Sequence, residues 1–393
     1  MAKIHIYTQG CTANQADSEV VAGLLKAAGH ELTNLANSEL VIFNTCSLKT
    51  PTEQSLFRKI QDTKNLKIRG FPTKVGNISK TKKVIVAGCF PLSFEENKRL
   101  KKYSLVGSFD LKKIVEAVKQ TLAGERVVLL SRTAEEKLCL PRIRDDKKIA
   151  KIVISKGCLG NCAFCSGKKA RGKLVSYNIE EIVEEAKQAI SEGCNRIYLT
   201  SQDCGCWGFD RGTDIVELLK QVLDLKGNFK VRLGMANPNH IYKLLTKLIP
   251  IYKHPKMLKF LHIPIQSGSD KVLKAMNRRY DIAQFKAIVS KFRKQIPNIS
   301  IATDIIVGFP GETKEDFQET VEILNWLKPE VLNFTKYWPR QGTIAGDKYL
   351  KSITNPNSTK AKSDAKIKQV RAKTIYKIHE IIKKKKQKGA PPI

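Results

Sequence analysis

Three runs of strand pattern, the first alternating and the other two apolar, each lead into a cysteine, and this recurrence constrains the fold more than any other feature of the chain. The runs occupy residues 3–10, 40–44 and 83–88, and Cys11, Cys46 and Cys89 stand just beyond them. Helix signals lie between the runs. Asp17 offers an N-cap, Glu19 and Val20 open a helix, and Gly29 closes it; Pro51-Thr52-Glu53 opens a second one. Strand and helix alternating in this way predict an open α/β domain with a mainly parallel sheet over residues 1–127. In such a sheet the C-terminal strand ends share one edge, where ligands bind. Three thiols on that edge can converge on a metal and leave one coordination position unfilled. The competing reading is three buried cysteines that pack as small hydrophobes.

A charged connector covers residues 128–148 and carries Arg132, Glu135, Glu136, Arg142, Arg144, Asp145 and Asp146. Beyond it the alternation restarts. Strands are expected at 150–155, 196–201, 230–236, 259–265, 300–307 and 331–337, with the clearest helices at 179–192, 282–295 and 314–327. Six β/α units without a seventh predict a partial barrel over residues 149–350 rather than a complete eightfold one. From residue 351 onward the apolar periodicity weakens. Residues 360–393 hold twelve Lys and Arg against Asp364 and Glu380, which predicts a basic helix with a disordered end.

The loop after the first of these later strands reads Cys158-Leu159-Gly160-Asn161-Cys162-Ala163-Phe164-Cys165, a CxxxCxxC spacing. Three thiolates on one short loop suit three corners of a four-iron, four-sulfur cluster and leave the fourth iron open. An open iron can chelate the amino and carboxylate groups of S-adenosylmethionine and pass an electron into its sulfonium. The product is a 5′-deoxyadenosyl radical able to remove unactivated hydrogen atoms. A zinc site usually draws a fourth Cys or His at a regular spacing, and none is evident. The loop also lies where a barrel places its active site. Cys139, Cys194, Cys204 and Cys206 lack comparable placement. Cys194 reads as a structural thiol, and Cys204 and Cys206 as incidental thiols near the expected site.

Composition narrows the class. The chain is 42% apolar and 27% charged, a globular balance. Lys and Arg total 70 against 37 acidic residues, a net charge of +33, which points to a polyanionic partner such as nucleic acid. A generally Lys-rich background is the alternative. No run of about 18 apolar residues occurs. Residues 1–6 read straight into a strand, so neither a membrane span nor a secretory signal is expected, and the cytoplasm is the expected compartment. Clustered cysteines in such a chain more often bind metal than form disulfides.

Gly10-Cys11-Thr12-Ala13-Asn14-Gln15, Asn44-Thr45-Cys46, Ala87-Gly88-Cys89 and the CxxxCxxC loop together resemble the radical S-adenosylmethionine methylthiotransferases, from residue 3 to about residue 345. Further segments resemble the archaeal and eukaryotic branch that modifies N6-threonylcarbamoyladenosine beside the tRNA anticodon. They are Lys49-Thr50-Pro51-Thr52-Glu53, Ala170-Arg171-Gly172-Lys173-Leu174, Thr200-Ser201-Gln202-Asp203, and residues 235–240, 262–269 and 304–313. The resemblance implies methylthiolation at C2 of that adenosine, at tRNA position 37. One S-adenosylmethionine would supply the hydrogen-abstracting radical, and a second would methylate sulfur held at an auxiliary cluster. It also implies two four-iron, four-sulfur clusters: the radical one on Cys158, Cys162 and Cys165, the auxiliary one on Cys11, Cys46 and Cys89. Gln202, Gln266 and Asp304, at strand ends, are its candidates for cofactor or substrate contacts; a structural hydrogen-bonding role is the alternative. The implied partners are tRNA, an electron donor such as a flavodoxin or ferredoxin, and a sulfur source, with no membrane.

The chain departs from the family pattern in two places. Tyr337-Trp338-Pro339-Arg340-Gln341-Gly342-Thr343 varies the family's Ser-Pro-Arg-Pro-Gly-Thr segment, and no strand-rich stretch follows residue 351 where the family usually carries a small RNA-binding β-barrel. Other readings remain open at this stage. The same chemistry could act on another tRNA adenosine or on a ribosomal-protein aspartate, or the chain could be a non-catalytic iron–sulfur RNA-binding protein. Two open-site cysteine sets argue against the last.

Overall fold

The computed structural model describes residues 1–47, 50–65, 82–133, 137–353 and 359–387, so Glu135, Glu136 and the end of the basic stretch lie outside it. The chain divides into two compact units. The first comprises residues 1–158 and 166–202, the second residues 159–165 and 203–393.

The first unit opens with β1 (Lys3–Gln9), α1 (Thr12–Ala27), β2 (Glu31–Leu32), β3 (Leu40–Thr45), α2 (Thr50–Asn65), β4 (Lys83–Gly88) and α3 (Cys89–Ser93). It continues through β5 (Ser104–Gly107), α4 (Ile114–Ala123) and β6 (Val128–Leu129). The six strands form one parallel sheet in the order β2-β1-β3-β4-β5-β6, the open α/β arrangement expected from the alternation. Both faces are covered. Ile42 and Ile85 pack with Val21, Leu25 and Val118, while Val41, Phe43 and Val86 pack with Leu56, Ile60 and Phe90. Each such fully buried aliphatic side chain contributes roughly 1.5–3 kcal/mol, which explains why these strands read as unbroken apolar runs.

The structure corrects two expectations here. Asp17 is not an N-cap: α1 begins at Thr12 behind Cys11, and Asp17 sits inside it, 2% exposed, bonded to Lys137 at 2.6 Å and Arg171 at 2.8 Å. The sheet also runs two residues into the expected connector, through β6. Described residues of the connector beyond β6 are tied down as well. Ser131 donates to Asp110, Arg142 pairs with Glu185 at 2.8 Å, and Ile143 donates to the Glu19 carbonyl. The first unit is completed by β7 (Ile149–Val153), β8 (Ser155–Lys156), α5 (Gly167–Arg171), β9 (Val175–Ser176), α6 (Ile179–Ser191) and β10 (Arg196–Thr200). Strands β7 and β10 pair in parallel, and β8 and β9 form an antiparallel pair.

The second unit contains α7 (Ile215–Asp224), β11 (Lys230–Leu233), α8 (Pro238–Lys253), β12 (Phe260–His262), α9 (Asp270–Ala275), α10 (Ile282–Gln295), β13 (Ser300–Val307), α11 (Lys314–Leu327), β14 (Val331–Lys336), α12 (Ile344–Ser352) and α13 (Thr359–Gln387). Strands β12, β13 and β14 are neighbours in that order and parallel. The expected β/α alternation is present, with β11 and β12 shorter than their apolar runs. Asp281 and Thr313 start α10 and α11 with full capping boxes, which accounts for the sharpness of both starts.

Helix α13 is the basic helix expected after residue 351, and it is docked. Ile375 and Ile382 are buried, Arg371 reaches the Glu312 carboxylate and the Thr313 carbonyl, and the Lys368 ammonium lies 4.5 Å from the Tyr349 ring centre. Lys362, Lys366, Lys373, Lys377, Lys383 and Lys384 are exposed. Among the described residues no helix is long and apolar enough to cross a membrane.

Candidate metal centres

The register of the first sheet places one set of thiols. Gln9 of β1 pairs with Thr45 of β3, and Thr45 pairs with Gly88 of β4. Cys46 and Cys89 are therefore the next residues on two adjacent strands, and Cys11 follows β1 by two. The Cys46 N–H returns to the Gln9 carbonyl at 2.9 Å. Asn14 links the outer two: it accepts from Cys11 Sγ at 3.3 Å and turns its Nδ2 toward Cys89 Sγ at 3.9 Å. Cys11 also stands at the N-cap position of α1. Gly88 makes the approach to Cys89 possible. Its φ is +90°, and a Cβ there would stand 2.2 Å from Asn44 Oδ1.

A buried cation group surrounds Cys89. Arg171 donates Nε to Cys89 Sγ at 3.1 Å and a second N–H to Asp17 Oδ2 at 2.8 Å, while Lys137 holds Asp17 Oδ1. Burial alone would raise the Asp17 pKa, but Arg171 and Lys137 outweigh it and hold the carboxyl below its usual range. Burial also pushes the Cys89 thiol up, with Arg171 pulling against it. Arg171, Lys137 and Asp17 are 2%, 5% and 2% exposed, so the group carries one more buried cation than carboxylate. An anionic sulfur-ligated cluster at Cys89 would balance that excess. The residues fit such a group.

The CxxxCxxC loop leaves the β7–β8 segment. Gly157, at φ +71°, precedes Cys158, and a Cβ on it would lie 1.8 Å from the Lys173 carbonyl oxygen. Gln202, just past β10, accepts the Gly157 N–H at 2.9 Å. Cys158 belongs to the first unit; Cys162 and Cys165 belong to the second. In the second unit the loop is stitched at Ala163, whose N–H meets the Met276 carbonyl at 2.9 Å and whose carbonyl takes the Ala345 N–H at 2.8 Å. All three thiols are partly exposed.

Arg278 donates to Cys162 Sγ at 3.0 Å, to the Tyr280 hydroxyl at 3.2 Å and to Asn237 Oδ1. Asn237 is fixed in turn by Asp203, which accepts its Nδ2 at 2.6 Å, its backbone N–H at 3.1 Å and His240 Nδ1 at 3.0 Å. Burial alone would raise Asp203, but these donors hold it below the usual carboxylate range. Asp203, Cys206 and His240 bring ligand-type atoms within 4.8 Å of one another. With the Gly205 N–H at 3.1 Å, four donors already saturate that carboxylate, so the group works as a hydrogen-bonding hub. A small cleft beside it is lined by Asn161, Cys162, Asn237, His240, Asn277 and Arg278.

The other sequence-derived residues separate. Gln202 lies in the first unit, Gln266 and Asp304 in the second. Gln266 donates its N–H to the Asp304 carbonyl at 2.8 Å and adopts φ +70°, a strained backbone of the kind held at ligand sites. The Asp304 carboxylate bonds His262 Nε2 at 2.7 Å. Cys194 donates to the Lys147 carbonyl and Cys206 to the Asp203 carbonyl. Sequence reasoning missed Arg278 and assigned no role to Arg171. Arg171 carried a signal, standing in the Ala170-Arg171-Gly172 segment; Arg278 was one cation among many.

The chain matches the Radical SAM superfamily over residues 152–324 and the Uncharacterized protein family UPF0004 over residues 3–107. It is 38% identical over 349 residues to the probable threonylcarbamoyladenosine tRNA methylthiotransferase of Pyrococcus horikoshii, covering 88% of this chain and 79% of that one. It is 39% identical over 352 residues to the threonylcarbamoyladenosine tRNA methylthiotransferase of Homo sapiens, covering 87% of this chain and 58% of the human protein. Among solved structures, it is similar to the radical S-adenosylmethionine methyltransferase TsrM from Kitasatospora setae. The TM-score is 0.59 at 12% identity, over 90% of this chain and 76% of that one, a likeness of fold alone.

Proposed function

The chain belongs to the threonylcarbamoyladenosine tRNA methylthiotransferases, and on that premise we propose that it methylthiolates C2 of N6-threonylcarbamoyladenosine at position 37 of tRNA. The product is 2-methylthio-N6-threonylcarbamoyladenosine. Bound together, a four-iron cluster with one open iron and S-adenosylmethionine supply a 5′-deoxyadenosyl radical, the reagent strong enough to remove the C2 hydrogen.

The rest falls to the chain's own residues. Cys158, Cys162 and Cys165 hold the radical cluster, with Gln202 fixing the backbone ahead of Cys158 and Arg278 holding the Cys162 sulfur. Cys11, Cys46 and Cys89 hold a second cluster on the edge of the N-terminal sheet, where the sulfur to be transferred is kept. Gln266 and Asp304 present polar groups for cofactor or substrate. In this division of labour residues 1–127 carry the auxiliary cluster, 128–148 connect, 149–350 carry the radical core and 351–393 add a basic element. An electron donor such as a flavodoxin or ferredoxin and a sulfur source complete the reaction, and a tRNA substrate sets it in the cytoplasm.

The observation that carries this reading is that β1, β3 and β4 are register-paired neighbours, each followed within two residues by a cysteine, in a chain that also bears CxxxCxxC. Two open-site thiol sets are what a hydrogen-abstracting and sulfur-delivering enzyme requires. Nucleoside mass spectrometry of tRNA from cells with and without this protein tests it. Loss of the 2-methylthio nucleoside, with its unthiolated precursor accumulating, is expected; an unchanged nucleoside profile overturns it.

A further inference from the structure

We propose that Arg171 and Arg278 are matched positioning residues, each fixing the sulfur of one cluster ligand and stabilising the negative charge upon it. The inference rests on the reading of Cys89 and Cys162 as ligands. The geometry is the same in both units. Each guanidinium places one N–H on a thiol, Arg171 on Cys89 at 3.1 Å and Arg278 on Cys162 at 3.0 Å. Each places another on an internal anchor, Asp17 at 2.8 Å for Arg171 and Asn237 for Arg278.

Both anchors are themselves held from behind. Lys137 clamps Asp17 at 2.6 Å, and Asp203, fully buried, clamps Asn237 at 2.6 Å. Such depth of support is typical of the outer shell of a metal site, where ligand orientation depends on residues behind the ligands. Cys194 and Cys206, outside both sets, give their S–H to main-chain carbonyls instead.

An N–H donor on a ligating sulfur draws electron density from it, and a nearby cation favours the state carrying the extra electron. Both effects raise the reduction potential of the cluster. Arginine suits this role because its rigid fork reaches sulfur and anchor together, which a lysine's single point charge cannot do. A plain core ion pair would explain the Asp17 contact, but not why a guanidinium in each unit ends on the sulfur of a ligand cysteine.

The test uses the full chain reconstituted with iron and sulfide without oxygen, and redox titration of both clusters by electron paramagnetic resonance. Arg278→Gln is expected to shift the radical cluster to more negative potential and leave the auxiliary one unmoved. Arg171→Gln is expected to do the converse. A tenfold change in the one-electron equilibrium would read as about 59 mV. The Lys variants are expected to fall between wild type and Gln. Loss of iron from the cognate cluster alone, with the fold and the other cluster intact, also supports the inference, because the ligand is then misplaced. Unchanged potentials and iron in all four variants overturn it. So does loss of the fold in both Gln and Lys forms, which would make these arginines ordinary core ion pairs. A triple Cys11, Cys46 and Cys89 to Ala variant run in parallel tests the underlying ligand reading by itself: full iron there sinks that reading, while the Arg278 arm still decides the inference.

Discussion

The Gln202 side-chain carbonyl accepts the Gly157 N–H at 2.9 Å, so a residue just past β10 holds the chain one position ahead of Cys158, in the loop after β8. Gln202→Ala leaves that N–H without its partner, a loss of about 1 kcal/mol or roughly fivefold. Cleavage of S-adenosylmethionine, read as 5′-deoxyadenosine by chromatography, should slow by about that factor. Gln202→Glu, which keeps an acceptor, should retain more. Equal rates for wild type and Gln202→Ala would count against a role in placing the loop.

Cys162→Ala removes one of three thiols on the CxxxCxxC loop and the sulfur that Arg278 holds. Reductive cleavage of S-adenosylmethionine should be abolished. Production of 5′-deoxyadenosine at the wild-type rate would show the assignment to be wrong.

If Cys11, Cys46 and Cys89 hold one of two equal clusters, replacing them together by Ala should roughly halve the bound iron. Cleavage of S-adenosylmethionine should persist while methylthiolation disappears. Colorimetric iron analysis that finds wild-type content would mark these thiols as core residues only.

Glu19 gives a pH signature. Its Oε1 accepts Lys151 Nζ at 2.7 Å, and Lys151 also meets the Asp145 carboxylate. Burial first, and the Asp145 hydrogen bond next, raise Glu19 to about 7, while the bond from Glu19 helps hold Asp145 down to about 2. With a folded pKa above the unfolded 4.5, the folded chain binds more protons between the two values, so stability falls as pH rises through that window. Asp145 acts oppositely, stabilising above its unfolded value of 3.8 and losing that contribution as pH falls toward 2. Glu19→Gln should therefore match wild type in thermal unfolding near pH 4 and be the more stable at pH 8, by up to about 3 kcal/mol at 1.36 kcal/mol per unit. A Gln variant less stable at pH 8 would refute the assignment.

Helix α13 turns Lys366, Lys373 and Lys377 to solvent. If they meet phosphates, changing all three to Glu should weaken tRNA binding and flatten its salt dependence. The log–log slope should drop by about 0.9 for each duplex phosphate no longer neutralised, by analogy with DNA. S-adenosylmethionine cleavage without tRNA should be unaffected. Equal affinity and equal slope would remove the helix from the binding surface.

Much of this was legible in the chain because buried parallel strands are mostly apolar. That is why β4 and β13 matched their sequence runs, and why a cysteine after each N-terminal strand was visible as a pattern. Asp17 was misread because an acid near a helix start usually caps it locally, whereas here Lys137, 120 residues on, and Arg171 draw it into the core. Tertiary ion pairs leave no periodic trace. Arg171 and Arg278 stayed hidden for the same reason: among 70 basic residues, only three-dimensional proximity to a sulfur distinguishes them.

The two thiol sets also differ in when they can exist. Cys158, Cys162 and Cys165 lie on one short loop, and even an unfolded chain could offer them to iron with little loop-closure cost. Cys11, Cys46 and Cys89 reach one sheet edge only after β1, β3 and β4 have zipped into register, a slow, long-range event for a parallel sheet. If these thiols hold a cluster, its loading must follow completion of the N-terminal sheet, and iron at that edge would be a record that the sheet has already formed.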